Sequence, residues 1–500
     1  MNVPGFHQAK LRIDLNVMKI WPRLNSIANL YPVKHTTILL LLAGSFIAIQ
    51  IGCATHSNRI TKLRSSFYDG NLEFAESESK KLLLKNKKEK ELIKLDQSLL
   101  RLAQGKPEES ENILREVRDR FKNGKPLDDF SNLSSWVLDD QNRAYQPDDY
   151  EQLFIQVFLA LSNLVQNGDD AYAYVNQITA LQNQIEAKIA SSNSTAQNDE
   201  PNTPTEGAGS ANTSVSKIQT ASSTTELKSF QRVALAPYIA GILYEQTHRD
   251  YDSASRYYKK TMELNPLFSA ASADFHRSEN GTHSKKGNGV IYVFAAIGKG
   301  PVKVESAEVP SSQALLLADR ILSATGKHTL PPTIAPIKIS RVVIPPNEIQ
   351  SVNVRVNDQL AGATETITDL GQIAKQQGDA KLNSEIARAV VRRIVKKSAI
   401  YASKDALGTT SNGWADILLN VGGVIWEATE SADTRCWGLL PEKIQVLRIE
   451  VPAGQHQITL TSDNGGQPYS TTVDVTDARN SYIYANFPTK EIAGEILVSN

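Results

Sequence analysis

The sequence predicts a multidomain protein of α plus α+β class. An N-terminal array of α-helical hairpins precedes an α+β region that ends in a small antiparallel β-sandwich-like module. Three observations support this prediction. Apolar residues recur with helical spacing from Ile60, and a turn glycine returns after 35 residues, at Gly70 and Gly105. Apolar runs typical of strands begin at Val290, and two of the later runs, 337–345 and 351–357, alternate between apolar and polar residues. Finally, 500 residues are too many for a single core.

Composition excludes several classes of protein. The 54 Lys and Arg residues balance 54 Asp and Glu residues, whereas a nucleic-acid-binding protein normally has a basic excess. Two cysteines cannot form a disulfide framework or a zinc site made of cysteine alone. We therefore expect no nucleic-acid partner, no metal and no cofactor.

The N-terminal region contains an uncharged run of fifteen residues, Ile38–Gly52, after the basic Lys34 and directly before Cys53. This length suits a signal peptide better than a spanning helix, which needs about 20 residues. The order of basic flank, apolar run and cysteine resembles the lipobox of bacterial lipoproteins, although Gln50 stands where these usually have leucine. The resemblance implies a signal peptide over residues 1–52 and a lipid on Cys53. An uncleaved anchor and a cleaved signal without lipid remain alternatives.

Residues 53–275 are predicted to form helical hairpins. In the copy with the clearest pattern, Tyr238 and Tyr258 take aromatic positions, Ala254 takes a small packing position and Pro266 ends the unit. This pattern resembles a tetratricopeptide (TPR) repeat, and a generic hairpin array is the alternative. The turn positions are followed five residues later by small residues; the pairs are Gly70 and Ala75, Gly105 and Ser110, Gly168 and Ala173, and Arg249 and Ala254. Such arrays present a concave surface that binds proteins or peptides.

Four further segments complete the predicted organisation. Residues 190–226 contain only two large apolar residues and are predicted to be a disordered insert. Residues 276–288 are polar and are predicted to be a linker. An α+β domain is expected over 289–440, and a C-terminal β-meander over 441–490 is expected to pack on it.

Two groups of residues in the second half are candidates for interaction. Arg388, Arg392 and Lys396 recur every fourth residue on an amphipathic helix and could meet an anionic partner such as peptidoglycan, although a solvated helix face is the commoner origin of this pattern. Asp433, Arg435 and Trp437 lie in a tryptophan-rich stretch with Trp414, Trp426, Glu427 and Glu430. Paired carboxylates beside tryptophan would suit glycan hydrolysis. We favour an Asp433–Arg435 ion pair beside packed tryptophan, with Cys436 buried.

The chain also resembles a family of uncharacterised Gram-negative lipoproteins. The residues that carry this resemblance are Cys53 and the stretches Gly287–Glu305 and Ala432–Leu460. Members of this family have a TPR-like front and an Asp-x-Arg-x-Trp-x-x-Leu-Pro segment behind it. Here that segment is Asp433–Pro441. The long insert at 190–226 departs from the family pattern.

Taken together, these patterns predict a non-enzymatic lipoprotein of the cell envelope, because the sequence contains no catalytic motif. An acyl anchor would hold it in the outer membrane, facing the periplasm, since Ala54 follows the cysteine. The helical array would dock other envelope proteins during outer-membrane or peptidoglycan assembly. The alternative is a peptidoglycan-binding or cell-wall-modifying protein that uses residues 289–500.

Overall fold

The computed structural model describes residues 56–123, 144–166, 168–194, 231–324, 336–406 and 431–499. All of them belong to one compact unit, Thr55–Asn500. The predicted signal peptide, Cys53 and most of the predicted insert 190–226 lie outside the described residues. The described part contains twelve α-helices and three sheets, so the mixed α/β class is confirmed.

Among the described residues, ten helices precede the first strand, and each contacts the next one in this order. They are α1 His56–Arg59, α2 Thr61–Tyr68, α3 Leu72–Lys85, α4 Lys90–Ala103, α5 Pro107–Asn123, α6 Asp149–Leu164, α7 Ala171–Ser194, α8 Leu235–Glu245, α9 Tyr251–Leu264 and α10 Ala270–Glu279. This sequential packing buries a stripe on every helix. No helix among the described residues has the length and apolar character needed to cross a membrane.

Two tight turns in this region require glycine. Gly70 (φ +74°) and Gly105 (φ +75°) each lie two residues after one helix and two before the next. Their left-handed backbone is costly for residues with a side chain. In the later turn between α8 and α9, the left-handed residue is His248 (φ +56°), whereas the sequence pattern placed this turn position at Arg249.

In the second half of the chain, the residues that the structure describes form three sheets and two helices. Its elements are β1 Asn288–Ile297, β2 Val302–Glu308, α11 Ser312–Ala324, β3 Ile337–Val343, β4 Val352–Val356, β5 Gln359–Ala363, β6 Glu365–Asp369, α12 Leu370–Ala406, β7 Lys443–Pro452, β8 Gly454–Ser462, β9 Tyr469–Val475, β10 Asn480–Phe487 and β11 Leu497–Val498. The strand orders are β11-β10-β1-β7-β6, β5-β4-β8-β9 and β2-β3.

The meander predicted over 441–490 is wrong in its connections. The four predicted strands form β7 to β10, but only β8 and β9 are neighbours. The reason is that β1 lies between β7 and β10, antiparallel to the first and parallel to the second. The C-terminal strands therefore complete a sheet that begins at Asn288.

Strand β1 joins the two halves of the core because it is buried on both faces. Tyr292 and Phe294 belong to a hydrophobic cluster shared with the helices, whereas Ile291 and Val293 belong to a cluster shared with β4, β8 and β9. The predicted boundaries at 275, 288 and 440 do not divide this core. The segment predicted as a linker, 276–288, begins inside α10 and contains the buried His283.

Candidate functional site

Three helices hold the backbone of one segment, Asp433–Pro441. The N–H of Trp437 donates to Oε1 of Glu151 on α6 at 2.6 Å. The N–H of Leu439 donates to Oδ1 of Asp96 on α4 at 3.0 Å. The hydroxyl of Tyr68 on α2 donates to the Gly438 carbonyl at 3.2 Å. The helical region thus binds a segment of its own chain through hydrogen bonds to main-chain groups of that segment.

Glu151 is the hub of these hydrogen bonds. Its Oε2 accepts the Tyr145 hydroxyl at 2.6 Å and the Asp148 N–H at 2.7 Å, and the latter bond forms part of the capping box that begins α6. The side chain is completely buried. Burial and the nearby Asp148 charge raise the pKa of Glu151 to about 7. A carboxyl group inside the protein is tolerated here because its oxygens accept three hydrogen bonds.

Asp96 is the second buried acceptor. Burial raises its pKa to about 7, although the N–H groups of Leu439 and Gly438 and the charge of Arg64 favour the ionised form. Its Oδ2 is buried without a hydrogen-bond partner within the described part of the chain. The site therefore holds two carboxyl groups whose pKa values are raised to about 7 and whose oxygens accept hydrogen bonds from backbone N–H groups.

Trp437 is a core residue and not a surface for interaction, which corrects the prediction that it could contact a partner. Its side chain is 0% exposed and its ring lies 5.8 Å from that of Phe158, centroid to centroid. The reason is that Glu151 draws the backbone of this segment inward. The adjacent Cys436 is buried, as predicted, and burial raises the pKa of its thiol to about 12.

The predicted ion pair between Asp433 and Arg435 is confirmed. Nη2 of Arg435 lies 2.7 Å from Oδ2 of Asp433, and the Arg435 Nε donates to Oδ1 at 2.8 Å. The guanidinium also lies 5.9 Å from the ring centroid of Tyr145. Burial opposes ionisation, but the hydrogen bonds from Arg435 lower the pKa of Asp433. The residues that would complete a hydrolytic pair, Glu427 and Glu430, lie outside the described residues, as do Trp414 and Trp426.

The predicted basic strip on α12 is not a continuous exposed surface. Arg388 is exposed, but Arg392 is only 8% exposed. The side chain of Lys396 lies outside the described residues. Arg392 is buried because α12 packs against both α11 and β3, so that more than one side of the helix is covered.

The predicted packing positions of the best repeat copy are buried. Tyr238, Ala254 and Tyr258 are completely covered, and the two tyrosine rings lie 5.7 Å apart. Pro266 is exposed, two residues after the end of α9 at Leu264. A further position went unrecognised. A Cβ at Gly241 would lie 2.6 Å from Cε1 of Tyr258, so glycine allows α8 and α9 to approach. Ala75 and Ser110 are also buried, whereas Ala173 is exposed.

An open groove of about 510 Å³ lies beside α7 and α8, and we call it the tyrosine groove. Tyr172 and Tyr244 line it, with ring centroids 5.3 Å apart and perpendicular rings. Tyr257 stacks on Tyr244, with ring centroids 5.5 Å apart. The other lining residues are apolar or neutral, except for one carboxylate: Leu164, Gly168, Asp169, Ala171, Leu243, Gln246, Thr247, Asn480 and Tyr482. Such a mixed, aromatic surface suits a protein or peptide partner.

The sequence analysis missed both Glu151 and Asp96. A signal for them exists, because each carboxylate lies on the apolar side of its helix, in the stretches YEQLFIQ and IKLDQSLL. A charged residue within an apolar stripe is normally paired or hydrogen-bonded. The sequence alone does not show that the partner would be the backbone near Trp437.

Within the described ranges, no group of three or more histidine, cysteine, aspartate or glutamate side chains could hold a metal ion. Comparison with known proteins yields no assignment. No protein-family model matches the chain, and neither does any curated protein or solved structure.

Proposed function

We propose that this protein is a non-enzymatic lipoprotein of the bacterial cell envelope that docks partner proteins through a TPR-like helical region. A lipid on Cys53 anchors it in the outer membrane, and it faces the periplasm. There it serves outer-membrane or peptidoglycan assembly. The observation that carries the proposal is that α2, α4 and α6 form hydrogen bonds with the backbone of the segment Asp433–Pro441.

These hydrogen bonds support a docking role because they are of the kind by which proteins recognise peptides. Buried carboxylates accept backbone N–H groups, and an apolar pocket accepts one large side chain, here Trp437. Helical repeat arrays bind peptides on such surfaces. The chain's own segment fills this position, so a partner protein must dock elsewhere.

The tyrosine groove is the docking surface that we assign to such a partner. Tyr172 is 38% exposed and lies on the rim with Tyr244. Tyrosine supplies a large contact area with few rotatable bonds, and it is enriched at protein interfaces. The β-sandwich-like module formed by the two larger sheets is, in this proposal, a rigid support for the start of β10, where Asn480 and Tyr482 complete the groove.

Two experiments test the proposal. The first is metabolic acyl labelling of the full chain in a Gram-negative host, with Cys53→Ala as control. Label on the wild type that disappears in the variant supports the anchor, and label that persists in the variant contradicts it.

The second experiment is in-cell cross-linking of the full chain. A cross-link to one envelope protein should be lost in Tyr172→Ala/Tyr244→Ala and kept in Phe74→Ala, which removes an exposed ring from α3. An identical set of cross-links in all three proteins would contradict docking at the groove.

A further inference from the structure

We propose that a basic pocket beside His56 binds the phosphate of an anionic phospholipid headgroup. Its position at a membrane rests on the proposed lipid anchor. The pocket has a volume of about 440 Å³ and lies between α1, the connection from α3 to α4, and the segment near Arg435. It is lined by His56, Arg59, Leu84, Lys85, Asn86, Lys87, Lys88, Glu89, Asp433, Thr434 and Arg435.

The charge of this basic pocket is strongly positive. Five lysine and arginine side chains line it, against two carboxylates. Both carboxylates are already engaged, since Glu89 meets Arg59 and His56, and Asp433 meets Arg435. Lys85 and Lys87 are exposed, and within the described ranges neither forms an ion pair with a carboxylate. A mobile anion would complete the site.

The rim of the pocket carries an exposed apolar side chain, which favours a lipid surface as the partner. Leu84, in the last turn of α3, is 82% exposed and precedes Lys85 directly. An isolated leucine is unremarkable on a protein surface, but one among lysines at the mouth of a basic pocket matches an interfacial anchor. The leucine would enter the boundary between headgroups and acyl chains, while the lysine ammonium groups stay among the phosphates.

The distance along the chain fits the same arrangement. His56 is the third residue after Cys53. Three residues span at most about 11 Å when fully extended. A lipid on Cys53 would therefore hold the basic pocket at headgroup level. The lining residues include no phenylalanine, tyrosine or tryptophan, and the ring of His56 is only 1% exposed, which favours a lipid phosphate over a nucleotide whose base would need a stacking partner.

The test uses the compact unit that begins at Thr55, which contains the whole described core and lacks Cys53. We expect this unit to float with vesicles that contain phosphatidylglycerol and not with phosphatidylcholine vesicles. Lys85→Gln/Lys87→Gln should weaken the apparent affinity about tenfold or more, since each basic residue near an anionic surface contributes about a fivefold factor. Leu84→Ser should also weaken it.

The matched control is Lys285→Gln/Lys286→Gln, which removes the same charge from another exposed segment. If this control lost as much affinity as the pocket variant, non-specific attraction would explain the binding and the proposal would be overturned. Equal binding to phosphatidylcholine vesicles would also overturn it. Binding of inorganic phosphate by the unit, together with no flotation on phosphatidylglycerol vesicles, would show a site for free phosphate and would overturn the proposal of a membrane site. Because the unit lacks Cys53, failure here is distinct from failure of acyl labelling in the full chain.

Discussion

The side chain of Glu151 accepts a hydrogen bond of 2.6 Å from the backbone N–H of Trp437, although 286 residues separate the two in sequence. This bond places a carboxylate from the N-terminal turn of α6 against the segment that precedes β7. It fixes the register of the segment, because the Trp437 ring then packs against Phe158. The helical region and the β region are joined here by specific hydrogen bonds in addition to apolar packing.

Replacement of Glu151 should therefore destabilise the whole unit. Glu151→Ala leaves three buried donors unpaired: the Tyr145 hydroxyl and the N–H groups of Asp148 and Trp437. We expect the free energy of unfolding to fall by about 3 kcal/mol or more. Glu151→Gln keeps one acceptor oxygen and should lose less. Urea denaturation measures both, and Glu263→Ala, at an exposed site on α9, serves as control. Equal stability of the alanine variant and this control would contradict the hub role of Glu151.

The raised pKa of Asp96 should make the free energy of unfolding depend on pH. Its pKa in the folded protein is about 7, above the ordinary value for aspartate, because burial favours the protonated form. The preference of the folded protein for protonated Asp96 contributes fully to the free energy of unfolding below the ordinary aspartate pKa. This contribution is lost as the pH rises through about 7. Asp96→Asn stays neutral and keeps an acceptor for Leu439. We expect the variant to gain stability relative to wild type between pH 5 and pH 8, two values chosen to bracket a pKa of about 7.

The comparison with wild type isolates Asp96 from other titrating groups. Glu151 also titrates near pH 7, whereas Glu76, whose pKa its partner Arg101 lowers to about 2, loses stabilisation only in acid. Urea titrations at both pH values give the two differences in the free energy of unfolding. A difference between variant and wild type that does not change with pH would be incompatible with a raised pKa for Asp96.

Trp437 provides a prediction about packing. Trp437→Ala should cost about 3–5 kcal/mol, since it removes a completely buried ring. Trp437→Phe should cost less, because the indole Nε1 has no hydrogen-bond partner in the described structure and its loss leaves no acceptor unpaired. Thermal unfolding followed by near-UV circular dichroism measures both. A phenylalanine variant as unstable as the alanine variant would contradict this account.

The burial of Trp437 also affects the choice of variant for testing the peptidoglycan alternative. Loss of binding to cell-wall material in Trp437→Ala would report unfolding and not a lost contact. Arg388 is exposed and is the better probe of the 289–500 region. Binding that falls in Arg388→Ala, with unchanged stability, would support that alternative.

The thiol of Cys436 should react slowly with alkylating reagents in the native protein. Its side chain is buried, and the pKa of about 12 leaves almost no thiolate at neutral pH. Iodoacetamide should therefore modify the native Cys53→Ala chain very slowly and the urea-unfolded chain quickly. Mass spectrometry measures the rates. Rapid modification under native conditions would show that the segment around Cys436 opens readily.

Local patterns in the sequence predicted local features well. The turns at Gly70 and Gly105, the pairing of Asp433 with Arg435 and the burial of Tyr238 and Tyr258 follow from spacing within one or two helices or from neighbouring residues. Each of these depends on contacts close in sequence. The physical causes, left-handed backbone in a tight turn and opposite charges two residues apart, are visible without a tertiary structure.

Features that depend on distant pairing were not predictable in this way. Short apolar runs indicate that β1, β7 and β10 are strands, but they do not show that β1 lies between the other two, because the run itself does not specify which strand will be its neighbour. The burial of Trp437 required the position of Glu151, and the burial of Arg392 required α11 and β3 to cover α12. Hence three of the interaction residues predicted on the surface, Arg392, Arg435 and Trp437, are buried in the structure.

The place of β1 between β7 and β10 has a consequence for how this chain acquires its fold. Val290 is in register with Asn480, and the helical core also includes Tyr482 and Leu497. The N-terminal helices therefore cannot finish their packing until β10 and β11 have been synthesised, since these strands supply residues of the same hydrophobic cluster. A chain of this topology should fold late and slowly, after β10 and β11 are free to pair. Loss of residues 480–499 should leave helices with exposed apolar faces, and such helices are substrates for chaperones and proteases.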